Sequence, residues 1–310
     1  MEDDAFRHSD SPLSIILLNW NTEQLTLECL RSLTRMDYSN LQIILVDNGS
    51  RDGTLTAIEA EFPRITLIRH SHNLGFTGGC NAGVRRALAD GSDYIMLLNN
   101  DTEVAADMLQ ILVNFAESDP HIGIVGPLLY YYDDAVRIWS AGIYVDYATG
   151  QSHSLRDGEL DDGAYLPYQV DAVCGCGLLV KRTVIEGIGL LDDRFFAYYE
   201  ETDWCARARN AGYQIWIVPQ AKVWHKINPQ ARSASPRYIY LITRNRLLFL
   251  KKAGSGWHGL FPVIVGYARM ILAWSLLGKH RSHRPLRLAV VKGVVDFCRC
   301  RFGEPPRELG

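Results

Sequence analysis

The chain has 310 residues, 47% of them apolar and 22% charged, which excludes a disordered, collagen-like or low-complexity protein. Its net charge of −3 hides an asymmetry: residues 1–221 carry 15 Lys and Arg against 32 Asp and Glu, a net of −17, and residues 222–310 carry 17 against 3, a net of +14. Seven cysteines without zinc-finger spacing argue against a disulfide scaffold and for reduced thiols in a cytosolic protein, and the acidic, polar start at residues 1–12 is unlike a secretory signal.

In chain order, "LSIILLNW" (13–20) predicts a buried strand and Thr22 to Met36 a helix, with Leu25, Cys29, Leu30 and Leu33 at helical spacing. "LQIILVD" (41–47) and "ITLIRH" (65–70) predict two more strands, and "TGGCNAGVRRALADG" (77–91) a loop running into a helix that stops at Gly91. "YIMLLN" (94–99) is a fourth strand, Val104 to Ser118 a helix and "IGIVGP" a further strand. A hairpin over 136–150, a polar loop over 151–165, a strand over 173–182, a helix over 200–212 and a strand over 213–219 follow. From Ser235 onward the chain reads as helices. Nearly all-apolar strands alternating with helices predict an α/β fold with a mostly parallel sheet covered on both faces.

Ligands of such sheets bind beyond the carboxyl ends of the strands. The polar clusters fall there: Asn19-Trp20-Asn21, Asp47-Asn48-Gly49-Ser50, His72-Asn73 and Asn99-Asn100-Asp101. Ending a buried strand on two amides and a carboxylate is costly unless these groups bind one another or a ligand. Asp101 suits a hard divalent cation, with Asn99 as a neutral oxygen donor; alternatively, Asp101-Thr102 caps the following helix. "DNGS" suits either a nucleobase or a plain turn. The glycine-rich stretch 73–83 opens a helix whose N–H groups would suit phosphate, though it is neither a dinucleotide fingerprint nor an NTPase loop. Glu200, Glu201 and Asp203 crowd a helix start, where they either favour the helix electrostatically or yield one carboxylate with a raised pKa. His225 is either a metal ligand or an ordinary core histidine.

Taken together, "SIILLNWN", "VDNGSRDGT", "NLGFTGGCNAG", "LLNNDTEV", "VCGCGLLVKR", "FFAYYEETDWCARARNAGY", "VWHK" and "RNRLLFLKK" resemble, in order and over residues 13 to about 252, a family 2 glycosyltransferase of the GT-A fold, of the rhamnosyltransferase-like kind. The resemblance implies a Rossmann-like sheet flanked by helices with a helical C-terminal extension. It divides the chain into a polar tail (1–12), a GT-A domain (13–234) and a basic helical region (235–310). It implies that Asn21, Asp47, Asn48, Asn73, Gly75, Gly78, Asn81 and Asn100 bind the nucleotide sugar. Asp101, His225 and Asn99 would hold Mn2+ or Mg2+, with Asn99 where the family's first metal-motif acid stands. Glu201 falls on the general base, with Glu200 and Asp203 as substitutes because the family's Glu-Asp reads Glu-Glu here, and Cys80 stands where Asn is common. Gly175 and Trp204 would face the acceptor.

The implied activity is metal-dependent, inverting transfer of a sugar, L-rhamnose from dTDP-rhamnose being the leading choice, to a hydroxyl of a saccharide or lipid-linked saccharide in bacterial cell-surface polysaccharide synthesis. The alternatives are a catalytically inactive glycan-binding or scaffold homologue and a nucleotidyltransferase making a nucleotide sugar. The latter lacks its basic loop at "NWNTEQ", and the basic C-terminal region carries no nucleic-acid motif. "GLFPVIVGYARMILAWSLLG" (259–278), followed by "KHRSHRPLR", suits a helix lying on the inner face of the cytoplasmic membrane, a helix packed on the protein, or a membrane span. The positive net charge of residues 222–310 is equally explained by docking onto the acidic part of the same chain.

Overall fold

A computed structural model describes residues 10–226, 235–276 and 284–309. Most of the expected polar tail, the end of the segment after His225 and the first part of the basic run that follows the long apolar helix lie outside them.

The first half alternates strand and helix: β1 (Leu13–Asn19), α1 (Glu23–Leu33), β2 (Leu41–Asp47), α2 (Thr54–Glu61), β3 (Thr66–Arg69), α3 (Gly75–Ala89) and β4 (Tyr94–Asn99). These strands pair in parallel in the order β3-β2-β1-β4, with Asn19 opposite Asp47 and Leu18 opposite Asn99. The polar ends therefore lie side by side on one edge. Alternate side chains enter two cores. Ile16, Val46, Ile95 and Leu97 pack on the α3 side. Leu13, Ile15, Leu17, Leu45, Met96 and Leu98 pack under α1. Each fully buried aliphatic chain contributes about 1.5–3 kcal/mol.

The second half differs from expectation in places. Thr102–Val104 is a short strand, β5, and α4 begins only at Met108 (Met108–Glu117), so Asp101 is not a helix cap. The hairpin foreseen at 136–150 is divided: β7 (Asp134–Ser140) pairs with β6 (Ile122–Tyr131), while β8 (Ile143–Asp146) pairs with β9 (Gln151–Ser154), which lies in the expected polar loop. β10 (Tyr168–Gln169), β11 (Gly177–Lys181), α5 (Arg182–Ile188) and α6 (Glu200–Asn210) follow. β12 (Gln214–His225) continues past Pro219, with its register on β6 shifting between Val218 and Lys222. A proline normally ends a central strand, and here the irregularity accommodates it. Among the described residues the main sheet has ten strands, β11 running antiparallel between β4 and β6.

Among the described residues three α-helices follow, α7 (Pro236–Lys252), α8 (Gly256–Leu276) and α9 (Arg284–Cys298), and then a short 3-10 turn (Arg307–Leu309). They share the core of the sheet, since Leu247 to Leu250, Leu260, Val263 and Phe297 belong to the cluster on the α3 side, and Tyr240, Leu241 and Ala289 form a smaller cluster with Phe196. Part of the basic excess is spent within the chain. Lys252 pairs with Asp192 and Asp203, and Lys226 with Glu28 and Glu103.

Candidate active site

At the end of β1, Asn19 is a buried hub. Its amide donates to Asp47 Oδ1 at 2.8 Å and Ser50 Oγ at 2.9 Å. Its Oδ1 accepts from Thr22 and Thr26 hydroxyls and from the Asn100 amide at 3.4 Å. Asp47 also accepts from the Ser50 N–H, and Asn21, at φ 53°, accepts from the Arg51 N–H. Asn48 donates to Asn73 Oδ1 and to the Gly75 carbonyl, and accepts from the Leu74 N–H. Asn73 accepts from the Gly75 N–H at 2.7 Å, and the Thr77 N–H goes to the Phe196 carbonyl. The glycine-rich turn thus has the N–H groups of residues 74, 75 and 77 already occupied, contrary to an open phosphate cradle. Gly75 is required there for another reason. Its φ is +78°, and a Cβ would stand 2.4 Å from the Phe196 carbonyl oxygen.

Next to this network lies a cavity of about 560 Å³, lined among others by Trp20, Thr22, Phe76, Asn99, Asn100, Asp101, Trp139, Cys174, Gly175, Tyr198, Glu200, Glu201, His225 and Tyr238. β5 pairs antiparallel with the end of β12, placing Thr102 opposite His225, and the Lys226 N–H donates to the Asp101 carbonyl. This ladder brings Asp101 Oδ1 to 2.9 Å from His225 Nε2, with the Asn99 amide 3.3 Å from the same nitrogen. The imidazole is buried and held by the Trp139 ring at 4.5 Å between centroids.

A divalent cation fits this group with two ligands of the acid or imidazole kind, Asp101 and His225, and the Asn99 amide beside them, rather than as a closed cage. Among the described residues, no cluster of three His, Cys, Asp or Glu surrounds a common point. One ring nitrogen faces both a carboxylate and an amide N–H, which a single proton cannot satisfy together. A cation on Asp101 and His225, with Asn99 presenting its carbonyl oxygen, would relieve that conflict. His225 Nδ1 is buried and meets no hydrogen-bond partner among the described residues, so the outer anchor usual for a metal-bound histidine is not found among them. Two ligands leave room for phosphate oxygens, the ordinary way a hard cation is shared between protein and nucleotide.

The carboxylates arrive on an unusual loop. Phe196, Tyr198 and Tyr199 have φ of 65°, 68° and 74°, a left-handed conformation disfavoured for aromatic residues, immediately before α6. Glu200 and Glu201 open α6 and both line the cavity. Burial, and then the neighbouring Glu201 charge, push the Glu200 carboxyl well above its ordinary range. Burial raises Glu201 too, despite its opening to the cavity. Glu200 Oε2 has no hydrogen-bond partner among the described residues. Gly175 keeps its wall low: a Cβ there would sit 3.6 Å from that of Glu201.

Other expected site residues lie elsewhere. Asp203 pairs with Arg207 at 2.9 Å and with Lys252 at 2.7 Å, which removes it as a substitute base. Trp204 is fully buried and donates to the Gly189 carbonyl, so it is core rather than acceptor wall. Asn81 staples α3 to Leu191 and Asp193, and Gly78 packs against Leu74; neither lines the cavity. Sequence reasoning missed Asn19 as a hub, together with Phe76, Trp139, Tyr198 and Tyr238. The signal for Asn19 was an amide closing an otherwise apolar strand. The aromatics carried none, because aromatic residues in such a chain are usually core.

Comparison with known proteins places this geometry. The family model described as "Glycosyl transferase family 2" matches residues 14–189. The dTDP-rhamnosyl transferase RfbF of Shigella flexneri is 24% identical over 251 residues, covering 78% of this chain and 81% of that protein. The N-acetylglucosaminyl-diphospho-decaprenol L-rhamnosyltransferase of Mycobacterium tuberculosis is 26% identical over 282 residues, covering 83% and 87%. Among solved structures, a mannosyltransferase from Pyrobaculum calidifontis in complex with GDP-Man and Mn2+ superposes with a TM-score of 0.58 at 15% identity, covering 96% of this chain and 91% of that one. TarS 1–349 of S. aureus in complex with UDP-GlcNAc gives 0.58 at 14% identity, covering 93% and 81%. At these identities the structural likeness establishes the fold.

Proposed function

Because the chain belongs to glycosyl transferase family 2, we propose that it moves a hexose, L-rhamnose from dTDP-rhamnose, onto a hydroxyl of a saccharide or lipid-linked saccharide with inversion at the anomeric carbon. One observation carries the reading: the Asp101–His225 pair and the Glu200–Glu201 pair line the same cavity at the carboxyl edge of the sheet. The choice of donor and acceptor leans on the two rhamnosyltransferase relatives.

Asn19, Asp47, Asn48 and Asn73 hold the loops of the nucleotide end rigid, and Asn100, tied to Thr22 and Thr26, faces the cavity beside Asp101. Asp101, His225 and Asn99 would hold Mn2+ or Mg2+, which when bound offsets negative charge growing on the departing diphosphate. Glu201 takes the proton of the acceptor hydroxyl as that oxygen bonds to the anomeric carbon. The bond from that carbon to the diphosphate oxygen breaks, and the nucleoside diphosphate leaves with the electron pair. A base with a raised pKa is matched to this task near neutral pH. Asn99 in place of an acid favours, as a second reading, an inactive glycan-binding homologue.

α8 is long and apolar enough to cross a membrane, yet little of it is buried, with Trp257 73% and Phe261 64% exposed. With the positive net charge of residues 222–310, this supports the helix lying on the inner face of the cytoplasmic membrane, which a lipid-linked acceptor would require. Trp257→Ala with Phe261→Ala should weaken flotation with anionic vesicles; unchanged flotation would refute this placement.

The activity test is nucleoside-diphosphate release from a panel of nucleotide sugars, with and without metal, beside Asp101→Ala. Release from dTDP-rhamnose, lost in the variant by about 10²-fold or more, is expected. Failure to bind any donor would transfer the reading to the glycan-binding homologue.

A further inference from the structure

The loop that aims the carboxylate pair is held from α7. The Asn245 amide donates to three carbonyls of that loop, Phe195 at 2.9 Å, Ala197 at 2.8 Å and Tyr198 at 2.8 Å. Asn245 Oδ1 accepts from Arg244 Nε at 3.0 Å. The Arg244 guanidinium is wholly buried, and its other nitrogens reach the Phe195 carbonyl at 3.1 Å and the Gly303 carbonyl at 2.8 Å. Three carbonyls converging on one point repel one another and require donors between them. They converge because Phe196, Tyr198 and Tyr199 take left-handed backbone angles. Opposite α7, the same loop rests on the donor-side turn, through the Phe196 carbonyl against Gly75 and the Thr77 N–H.

We infer that Asn245 and Arg244 are positioning residues for Glu200 and Glu201, so that α7 belongs to the catalytic unit. The inference rests on the glycosyltransferase reading and on Glu201 as its base. The two side chains act through the loop, holding its strained backbone in the one path that turns both carboxylates into the cavity. The titratable groups around the pair are Asp101, His225, Tyr198 and Tyr238, which line the same cavity, and the thiols of Cys80, Cys174 and Cys205; burial is the largest cause of the raised Glu201 carboxyl. Loosening the loop admits water and lets that carboxyl fall back toward its ordinary value.

Asn245→Leu keeps the volume and removes the donors. With dTDP-rhamnose as donor, kcat should fall about 30-fold while KM for the donor changes less than about threefold, and the acid limb of the kcat profile should move to lower pH. A purely structural role would scale the rate with the folded fraction, measured by circular dichroism, and leave the acid limb in place. That result, or unchanged kcat, overturns the inference. Should Asn245→Leu fail to fold, Arg244→Lys, which retains the charge and loses the fork, is read by the same two criteria. No turnover of any donor by the unaltered protein overturns the glycosyltransferase reading and this inference with it; turnover with a wild-type profile in both variants overturns this inference alone.

Discussion

The two halves of the site are built on opposite principles. At the ends of β1 and β2, the polar groups of Asn19, Asp47, Asn48 and Asn73 are tied to one another and to loop backbone, and the result is a rigid frame. Across the cavity, among the described residues, a Glu200 oxygen and a His225 nitrogen meet no partner, and the backbone before α6 is strained. Satisfied polar networks give shape at little energetic risk, whereas unsatisfied ones store the capacity to bind or to take a proton. The division is not absolute, since among the described residues Thr77 Oγ1, in the glycine-rich turn of the first side, is also buried without a partner.

The contrast can be broken from the chemical side first. Glu201→Gln should lower kcat by about 10²–10⁴-fold with donor affinity within a few-fold of wild type, followed by single-turnover assay and donor titration. Full turnover in that variant would move the base elsewhere. On the saturated side, Asn19→Ala should act mainly on stability, costing about 1–3 kcal/mol for the partners it orphans, and should raise KM for the donor; chemical denaturation reads the first effect. A large kcat loss at constant stability would instead give the frame a chemical role. The smallest effect concerns Glu200. Its carboxyl is raised when folded, so the native state holds a proton that the unfolded chain releases around pH 4.5. Stability from this group is therefore complete below that pH and is lost as pH rises toward the native value. Glu200→Gln should melt about 2–3 °C above wild type at pH 8 and near it at pH 4. The opposite order would mean that Glu200 is paired in the folded protein.

Legibility followed the same division. β1, β2 and β4 could be read because each is a buried apolar run cut off by polar residues, and parallel pairing then forces those ends together. Residues 104–107 were misread as helix because Val104 to Ala106 carries helix-compatible residues; Val104 instead ends β5, whose strand character comes from pairing with β12, more than a hundred residues away. Pro219 hid the continuation of β12 to His225. Asp203 could have been set aside from sequence, since Arg207 follows at the helical i,i+4 distance and marks an ion pair. Arg244 and Asn245, set within the apolar run "YLITRNRLLFL", were a visible signal that their polar groups would be buried, but nothing local shows which carbonyls they would meet.

The shift in β12 between Val218 and Lys222 has a genetic consequence. Side chains in a strand alternate faces, so gaining or losing one residue between this irregularity and His225 would turn the imidazole away from Asp101. The same event before the irregularity has a place to be absorbed. β12 thus behaves as a vernier with a slack joint in its middle: insertions and deletions are expected to accumulate at the joint or on the Gln214 side, while the four residues from Lys222 to His225 keep their length.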